Sequence, residues 1–165
     1  YPRDFAIMSL FLGTGIRISE LVGLDVKDID FSQNAFTITR KGGSRVILYF
    51  GDEVKQALLD YLNVRNAKTD ESEPALFLSL QNKRITTRAV EKLVKKYCAG
   101  VIPLKKITPH KLRSTYGTNL YRETGDIYVV ASVLGHKDVN TTKKYYAQIS
   151  DDIRREASTK VKLRD

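Results

Sequence analysis

Residues 35–50, AFTITRKGGSRVILYF, decide the fold class, because they form the clearest β-hairpin pattern in the sequence. AFTITR and RVILYF are rich in β-branched and aromatic residues, which favour strands, and the KGGS between them is typical of a turn. Most of the remaining sequence has helical spacing of its apolar residues instead. We therefore expect a mainly α fold with one small antiparallel β-sheet early in the chain (α+β).

Helices are predicted on both sides of this hairpin. Residues 1–15 form a helical pattern with Pro2 in the first turn and a Gly13/Gly15 stop, and residues 17–24 form a second, short one. Residues 51–65 are helical, and so is the chain from residue 86 onward, interrupted at Gly125 and Gly135. The short apolar run ALFLS, residues 75–79, is a candidate third strand of the sheet.

Length and charge narrow the class of protein. The 165 residues predict one domain, 1–165, and no apolar run approaches the ~20 residues that a membrane helix needs. Lys and Arg total 28 against 19 Asp and Glu, so the net charge is +9 and a polyanion is the expected partner. Cys98 is the only cysteine, which excludes an intrachain disulfide and indicates a reducing, cytoplasmic setting.

The two histidines occupy conspicuous positions. TPHKLR places His110 and Arg113 three residues apart on one face of a helix that Thr108-Pro109 would start. LGHKD places His136 directly after Gly135, where a helix is expected to stop. Taken singly, each is better interpreted as an ordinary core or surface histidine. Two histidines without cysteine ligands make an incomplete zinc set, so no metal site is predicted.

Three further groups of residues attract attention. Arg17 follows a Gly-Thr-Gly break at a predicted helix start, with Glu20 three residues on to orient it. Lys41 lies at the tip of the hairpin, where a lysine is usually just solvated. Tyr145 and Tyr146 are adjacent, nine and ten residues after His136.

Taken in order, these residues resemble the tyrosine recombinases, also called phage-type integrases. The resemblance runs from GTGIRISELVGL through RKGGSR and TPHKLRSTYGTNL to LGHKDVNTTKKYYA, which is nearly the whole sequence. It implies the fold of that family's catalytic domain and implies that a separate N-terminal DNA-clamping domain is absent from residues 1–165. Each motif alone is a weak signal, whereas all of them in order at suitable spacing are a strong one.

The resemblance also implies a mechanism. A tyrosine hydroxyl would attack a DNA phosphate, leaving a 3′-phosphotyrosyl bond and a free 5′-hydroxyl, with neither ATP nor metal as cofactor. Arg17 and Arg113 would hold the phosphate as planar forks, and His110 and His136 would add hydrogen bonds to it. His110 would assist proton movement on the tyrosine, and Lys41 would protonate the leaving oxygen. Glu20 would support the Arg17 region.

Two adjacent tyrosines compete for the role of nucleophile. Neighbours on a helix point about 100° apart, so only one of the two can face the site. In the family the nucleophile usually precedes a small residue, then His or a similar residue, then an aliphatic one. The run Tyr146-Ala147-Gln148-Ile149 resembles that pattern except at Gln148. We therefore assign the nucleophile to Tyr146 and a packing or gating role to Tyr145.

Partners and alternatives are implied by the same resemblance. Double-stranded DNA is the expected partner, bound by a homotetramer, with accessory DNA-bending proteins as further candidates, in a bacterial cytoplasm at the nucleoid. The expected role is integration or excision of a mobile element, with Xer-like chromosome dimer resolution as the alternative. A non-cleaving DNA-binding relative and a type IB topoisomerase-like activity are the competing classes. The C-terminal segment from Asp151 would pack on its own or on a neighbouring protomer.

Overall fold

The computed structural model of this protein describes residues 1–40, 42–99 and 108–134. Its helices there are α1 (Pro2–Thr14), α2 (Ile18–Val22), α3 (Asp52–Asn66), α4 (Thr87–Ala99), α5 (Pro109–Thr124) and α6 (Ile127–Leu134). Its strands are β1 (Ile29–Asp30), β2 (Ala35–Thr39) and β3 (Arg45–Tyr49), joined in that order into one antiparallel sheet. The predicted fold class, mainly α with a small antiparallel sheet, is confirmed.

The chain divides into two compact units. The first comprises Tyr1–Ser114, and the second begins at Thr115 and is described as far as Leu134. Within the second unit, buried Val130 and Leu134 of α6 pack with the aromatic and aliphatic side chains of α5, namely Tyr116, Leu120 and Tyr121. The single domain over residues 1–165 stays a prediction. None of the helices in the described parts is long and apolar enough to cross a membrane.

The predicted hairpin is confirmed. β2 and β3 pair in register from Ala35 opposite Tyr49 to Thr39 opposite Arg45. The turn is closed by a hydrogen bond from the Arg40 N–H to the Ser44 carbonyl at 2.8 Å. Gly43 adopts a φ of 81°, a left-handed conformation that glycine tolerates without steric cost. The hairpin therefore ends in a tight turn that Arg40 enters directly from β2.

The prediction of a third strand at residues 75–79 was wrong, because the third strand is β1, next to β2. Ala75 and Leu78 make only isolated bridges, to Asp25 and Arg84 respectively. Residues 75–78 are all buried, so the segment is a continuous apolar run without the alternation of a half-buried strand. Such a run does not distinguish a strand from a buried connecting segment.

Helices α1 and α3 pack closely against each other in the first unit. Gly13 of α1 makes this approach possible, since a Cβ there would lie 2.7 Å from Cγ2 of Val54 on α3. Real Cβ atoms do not approach other carbons so closely, so a larger residue would require the Val54 side chain or the helices themselves to shift. Of the two glycines predicted to stop the helix, Gly15 is the C-cap residue after α1 ends at Thr14, whereas Gly13 lies inside α1 and serves helix packing.

A buried tyrosine joins α3 to the apolar segment 75–78. The Tyr61 hydroxyl donates to the Leu76 carbonyl at 2.8 Å and accepts from the Leu78 N–H at 3.1 Å. Its ring stacks on that of Phe77, with centroids 5.3 Å apart. Burial raises the pKa of the Tyr61 phenol above its usual value, so the hydroxyl keeps the proton that it donates.

Replacing Tyr61 by Phe should lower the free energy of unfolding by about 1–3 kcal/mol, because the buried Leu78 N–H loses its acceptor. Urea denaturation followed by circular dichroism measures the change. Tyr49→Phe is the matched control, since Tyr49 is 68% exposed. That variant should lose about 1 kcal/mol or less. Equal losses in the two variants would contradict the assigned role of Tyr61.

Candidate active site

The candidate site is built around the turn between α1 and α2. Gly15 ends α1 with a φ of 69°, and the buried Thr14 and Ile16 on either side fix the turn in the core. The Thr14 hydroxyl donates to the Leu10 carbonyl at 2.6 Å. Arg17 follows with extended backbone angles as the N-cap residue of α2, which confirms its predicted place at a helix start.

Glu20 joins the start of α2 to the hairpin. One carboxylate oxygen, Oε1, accepts a hydrogen bond from the Arg17 backbone N–H at 3.0 Å, as the residue three positions into a helix often does. The other, Oε2, accepts from Nε of Arg40 at 3.0 Å. The side chains of Arg40 and Glu20 are 8% and 4% exposed, so this ion pair is buried. Glu20 therefore holds the backbone of Arg17 and the end of β2 at once.

Arg113 reaches the same turn from α5. Its side chain is buried, and its Nε donates to the Gly15 carbonyl at 2.9 Å, two residues before Arg17. Helix α5 begins at Pro109, as predicted, and the Thr108 hydroxyl accepts a hydrogen bond from the Lys111 N–H at 3.2 Å. This capped start sets the turn of helix that carries Arg113.

His110 is exposed and lines a cavity of ≈ 560 Å³ within the first unit. The cavity is also lined by Ile18, which directly follows Arg17, and by one basic face of α4. Its lining residues are Ile18, Arg88, Glu91, Lys92, Lys95, Thr108, Pro109 and His110. The same cavity is thus lined by the start of α2, the start of α5 and three cations of α4.

The basic face of α4 was not predicted from the sequence, although the spacing of its basic residues indicates it. Arg88, Lys92 and Lys95 are spaced by four and three residues, which places them on one side of a helix. Val90 and Val94 occupy the buried side. Arg40 was missed as well, and no local pattern could have found it, because its partner Glu20 is twenty residues away.

The structure therefore brings four of the predicted site residues, Arg17, Glu20, His110 and Arg113, into the first unit around one turn and one cavity. The other four, Lys41, His136, Tyr145 and Tyr146, lie outside the described residues. The chemical roles of all eight stay predictions. Within residues 1–40, 42–99 and 108–134, no group of three or more His, Cys, Asp or Glu side chains is placed to hold a metal ion.

Comparison with known proteins identifies the class. Residues 1–152 match the phage integrase family. The tyrosine recombinase XerC of Thermodesulfovibrio yellowstonii is 37% identical over 87% of this chain and 49% of its own length. The tyrosine recombinase XerS of Streptococcus pneumoniae is 39% identical over 91% of this chain and 43% of its own. This chain belongs to the phage integrase family and spans about half the length of these curated relatives.

Solved structures agree with this assignment. The crystal structure of XerA recombinase superposes with a TM-score of 0.84 at 32% identity, covering 99% of this chain and 60% of that one. The Tn1549 transposon integrase, solved in complex with circular intermediate DNA, gives a TM-score of 0.69 at 27% identity, covering 88% and 54%. The family resemblance proposed from the motifs is thereby confirmed.

Replacing Glu20 by Ala should lower the free energy of unfolding by about 3 kcal/mol or more, because it leaves the buried Arg40 guanidinium without its carboxylate. Urea denaturation measures this loss. Asp25→Ala is the control, since Asp25 pairs with Arg84 in a more exposed position, with side chains 23% and 36% exposed. It should lose only about 1–2 kcal/mol, because Asp25 also caps the short 3-10 helix Val26–Asp28. A tolerated Glu20→Ala would show that the buried pair does not stabilise the fold.

Proposed function

We propose that this chain is the catalytic part of a site-specific DNA recombinase that cuts and rejoins strands through a 3′-phosphotyrosyl intermediate. The observation that carries the proposal is the hydrogen bond from Arg113 to the Gly15 carbonyl, two residues before Arg17. This bond joins Arg113 to the turn that leads into Arg17, the other predicted phosphate-binding arginine, although the two are far apart in sequence. Membership of the phage integrase family supports the same proposal.

The two arginines suit a phosphodiester in chemical terms. A guanidinium presents its N–H donors in a flat fork that matches two phosphate oxygens, and it stays protonated at any physiological pH. Arg113 uses Nε on the Gly15 carbonyl, which orients the guanidinium plane by a fixed contact. Donors held in place before the reaction stabilise charge that develops on the equatorial oxygens during phosphoryl transfer. His110 would add a further hydrogen bond from the rim of the cavity.

In the proposed step, the Tyr146 oxygen forms a bond to phosphorus while the bond from phosphorus to the 5′-oxygen breaks. Lys41 gives a proton to the leaving 5′-oxygen, and the phenol proton passes to a base, for which His110 is our candidate. His136 donates to the phosphate. The reverse attack by a 5′-hydroxyl of another strand restores the phosphodiester and the free tyrosine, so the cycle needs no external energy source.

The basic face of α4 supports DNA as the partner. Arg88, Lys92 and Lys95 are exposed along the cavity that His110 lines, so a duplex presenting a phosphate to the arginines would meet further positive charge there. Neutralising phosphates releases condensed counterions, which favours binding independently of base sequence. The Tn1549 integrase was solved with circular intermediate DNA, which supports the same class of partner for this chain.

The biological role that we propose is integration or excision of a mobile element by a homotetramer on two DNA sites, with accessory DNA-bending proteins where the site requires them. The action would take place at the nucleoid, in the cytoplasm. Xer-like dimer resolution is the second candidate, favoured by the XerC and XerS names of the relatives. Selection of cleaved sites from a nicked-duplex library distinguishes the two, because it yields the target sequence.

Binding to a random-sequence duplex should weaken steeply with salt, with a log–log slope of about −4 or steeper if five or more phosphates are neutralised. Fluorescence anisotropy across a salt series measures the slope. Lys92→Ala and Lys95→Ala should each make it shallower by about 1. Lys68→Ala removes the same charge from an exposed position outside this cavity and should leave the slope unchanged. A flat salt response in the parent would argue strongly against DNA.

Tyr146→Phe should keep its fold and its DNA affinity but form no covalent adduct, because a single oxygen is deleted. Tyr145→Phe is the matched control and should still trap a detergent-resistant adduct on a nicked suicide duplex. Peptide mapping of the trapped adduct locates the nucleophile. A nucleotide on Tyr145 would correct our register by one residue, whereas an adduct on neither tyrosine would overturn the recombinase proposal.

A further inference from the structure

The buried pair of Arg40 and Glu20 has a consequence for Arg17 that neither residue shows alone. Glu20 divides its two oxygens between different elements, with Oε1 on the Arg17 N–H and Oε2 on Arg40. We propose that Arg40 is a positioning residue for Arg17, acting through the Glu20 carboxylate. The inference rests on the proposed function, since it assigns Arg40 to the phosphate-binding half of that site.

Electrostatics explain why the carboxylate needs Arg40. Glu20 has a 4% exposed side chain, and a buried carboxylate is strongly unfavourable unless it is paired and hydrogen-bonded. Arg40 supplies the counter-charge on Oε2 at 3.0 Å, while Oε1 accepts from the Arg17 N–H. Without Arg40, the carboxylate would turn toward water or another cation, and the N–H at the start of α2 would lose its acceptor.

Geometry explains why Arg17 would respond. The segment before it is anchored by the Arg113 bond to the Gly15 carbonyl, and Arg17 itself is anchored by Glu20. Arg17 is the N-cap residue, the point where extended backbone changes to helix. Releasing the bond from the Arg17 N–H to Glu20 would let the base of the Arg17 side chain shift. Displacements of about 1 Å in a positioning group can cost about 100-fold in rate.

A direct contact between Arg40 and DNA is the competing explanation. The Arg40 side chain is only 8% exposed, and its Nε is committed to Glu20. A residue that binds a phosphate directly would contribute to DNA affinity and would act independently of Arg17. A positioning residue would instead change the rate of cleavage, and only while the Arg17 fork is intact.

The test is a double-mutant cycle between Arg40→Met and Arg17→Lys in the full chain. The substrate is a nicked suicide duplex, selected from a randomised library with the parent protein. Three quantities are measured: the single-turnover rate of adduct formation, the Kd for that duplex and the melting temperature. Arg40→Met should slow adduct formation about 10- to 100-fold with Kd nearly unchanged. In the Arg17→Lys background, the same substitution should change the rate by less than about threefold.

Two further variants make the result decisive. Arg40→Lys keeps the positive charge but loses the planar guanidinium, so its rate of adduct formation should fall between those of the parent and Arg40→Met. If Arg40→Met does not fold, Arg40→Lys replaces it in the cycle. Arg3→Met removes another arginine paired with a carboxylate, at the opposite end of α1 from Gly15, and it should lower the melting temperature without slowing adduct formation by the folded protein.

Three outcomes would overturn the inference. They are a parent-like rate in both Arg40 variants, effects of Arg40 and Arg17 that multiply in the cycle, and a loss that appears in Kd instead of in the rate. In each of these the parent still forms an adduct, so the proposed function survives. If the parent forms no adduct on any library member, the proposed function itself fails, and the assignment of Arg40 fails with it.

Discussion

A carboxylate that is almost completely removed from water constrains the whole candidate site. The Glu20 side chain is only 4% exposed, and both of its oxygens accept hydrogen bonds, one of them from the Arg40 guanidinium, which offsets the cost of burying the carboxylate. That requirement ties the end of β2 to the start of α2. Arg113 ties the beginning of α5 to the same turn by its bond to the Gly15 carbonyl. A sheet, a short helix and the first turns of a long helix are therefore fixed relative to one turn of three or four residues.

The positive charge of this protein is divided between two uses. Arg65 is 5% exposed and donates to the carbonyls of Glu73, Ala75 and Leu76, so it replaces missing backbone partners in the apolar segment. Arg84 does the same for the carbonyls of Val22 and Leu24. The total of 28 Lys and Arg residues therefore overstates the number of cations available to a polyanion. The exposed face of α4 is a better measure of that surface than the total.

Local patterns predicted much of this architecture and two local features of the candidate site. The hairpin, the Pro109 helix start and the link between Arg17 and Glu20 depend on neighbours within a few residues, which a sequence displays directly. The partnership of Arg40 with Glu20 depends on tertiary packing across twenty residues, and no periodicity encodes it. The strand prediction for residues 75–79 was wrong for a related reason. An apolar run indicates that a segment is buried, but it does not indicate which backbone groups the segment will pair with.

The close approach of α1 and α3 has a consequence for how this fold can change. Gly13 and Val54 are packed against each other, since a Cβ on Gly13 would lie 2.7 Å from a methyl group of Val54. Substitutions at the two positions should therefore be coupled, because a methyl group gained at Gly13 costs less when Val54 has lost one than when Val54 is unchanged.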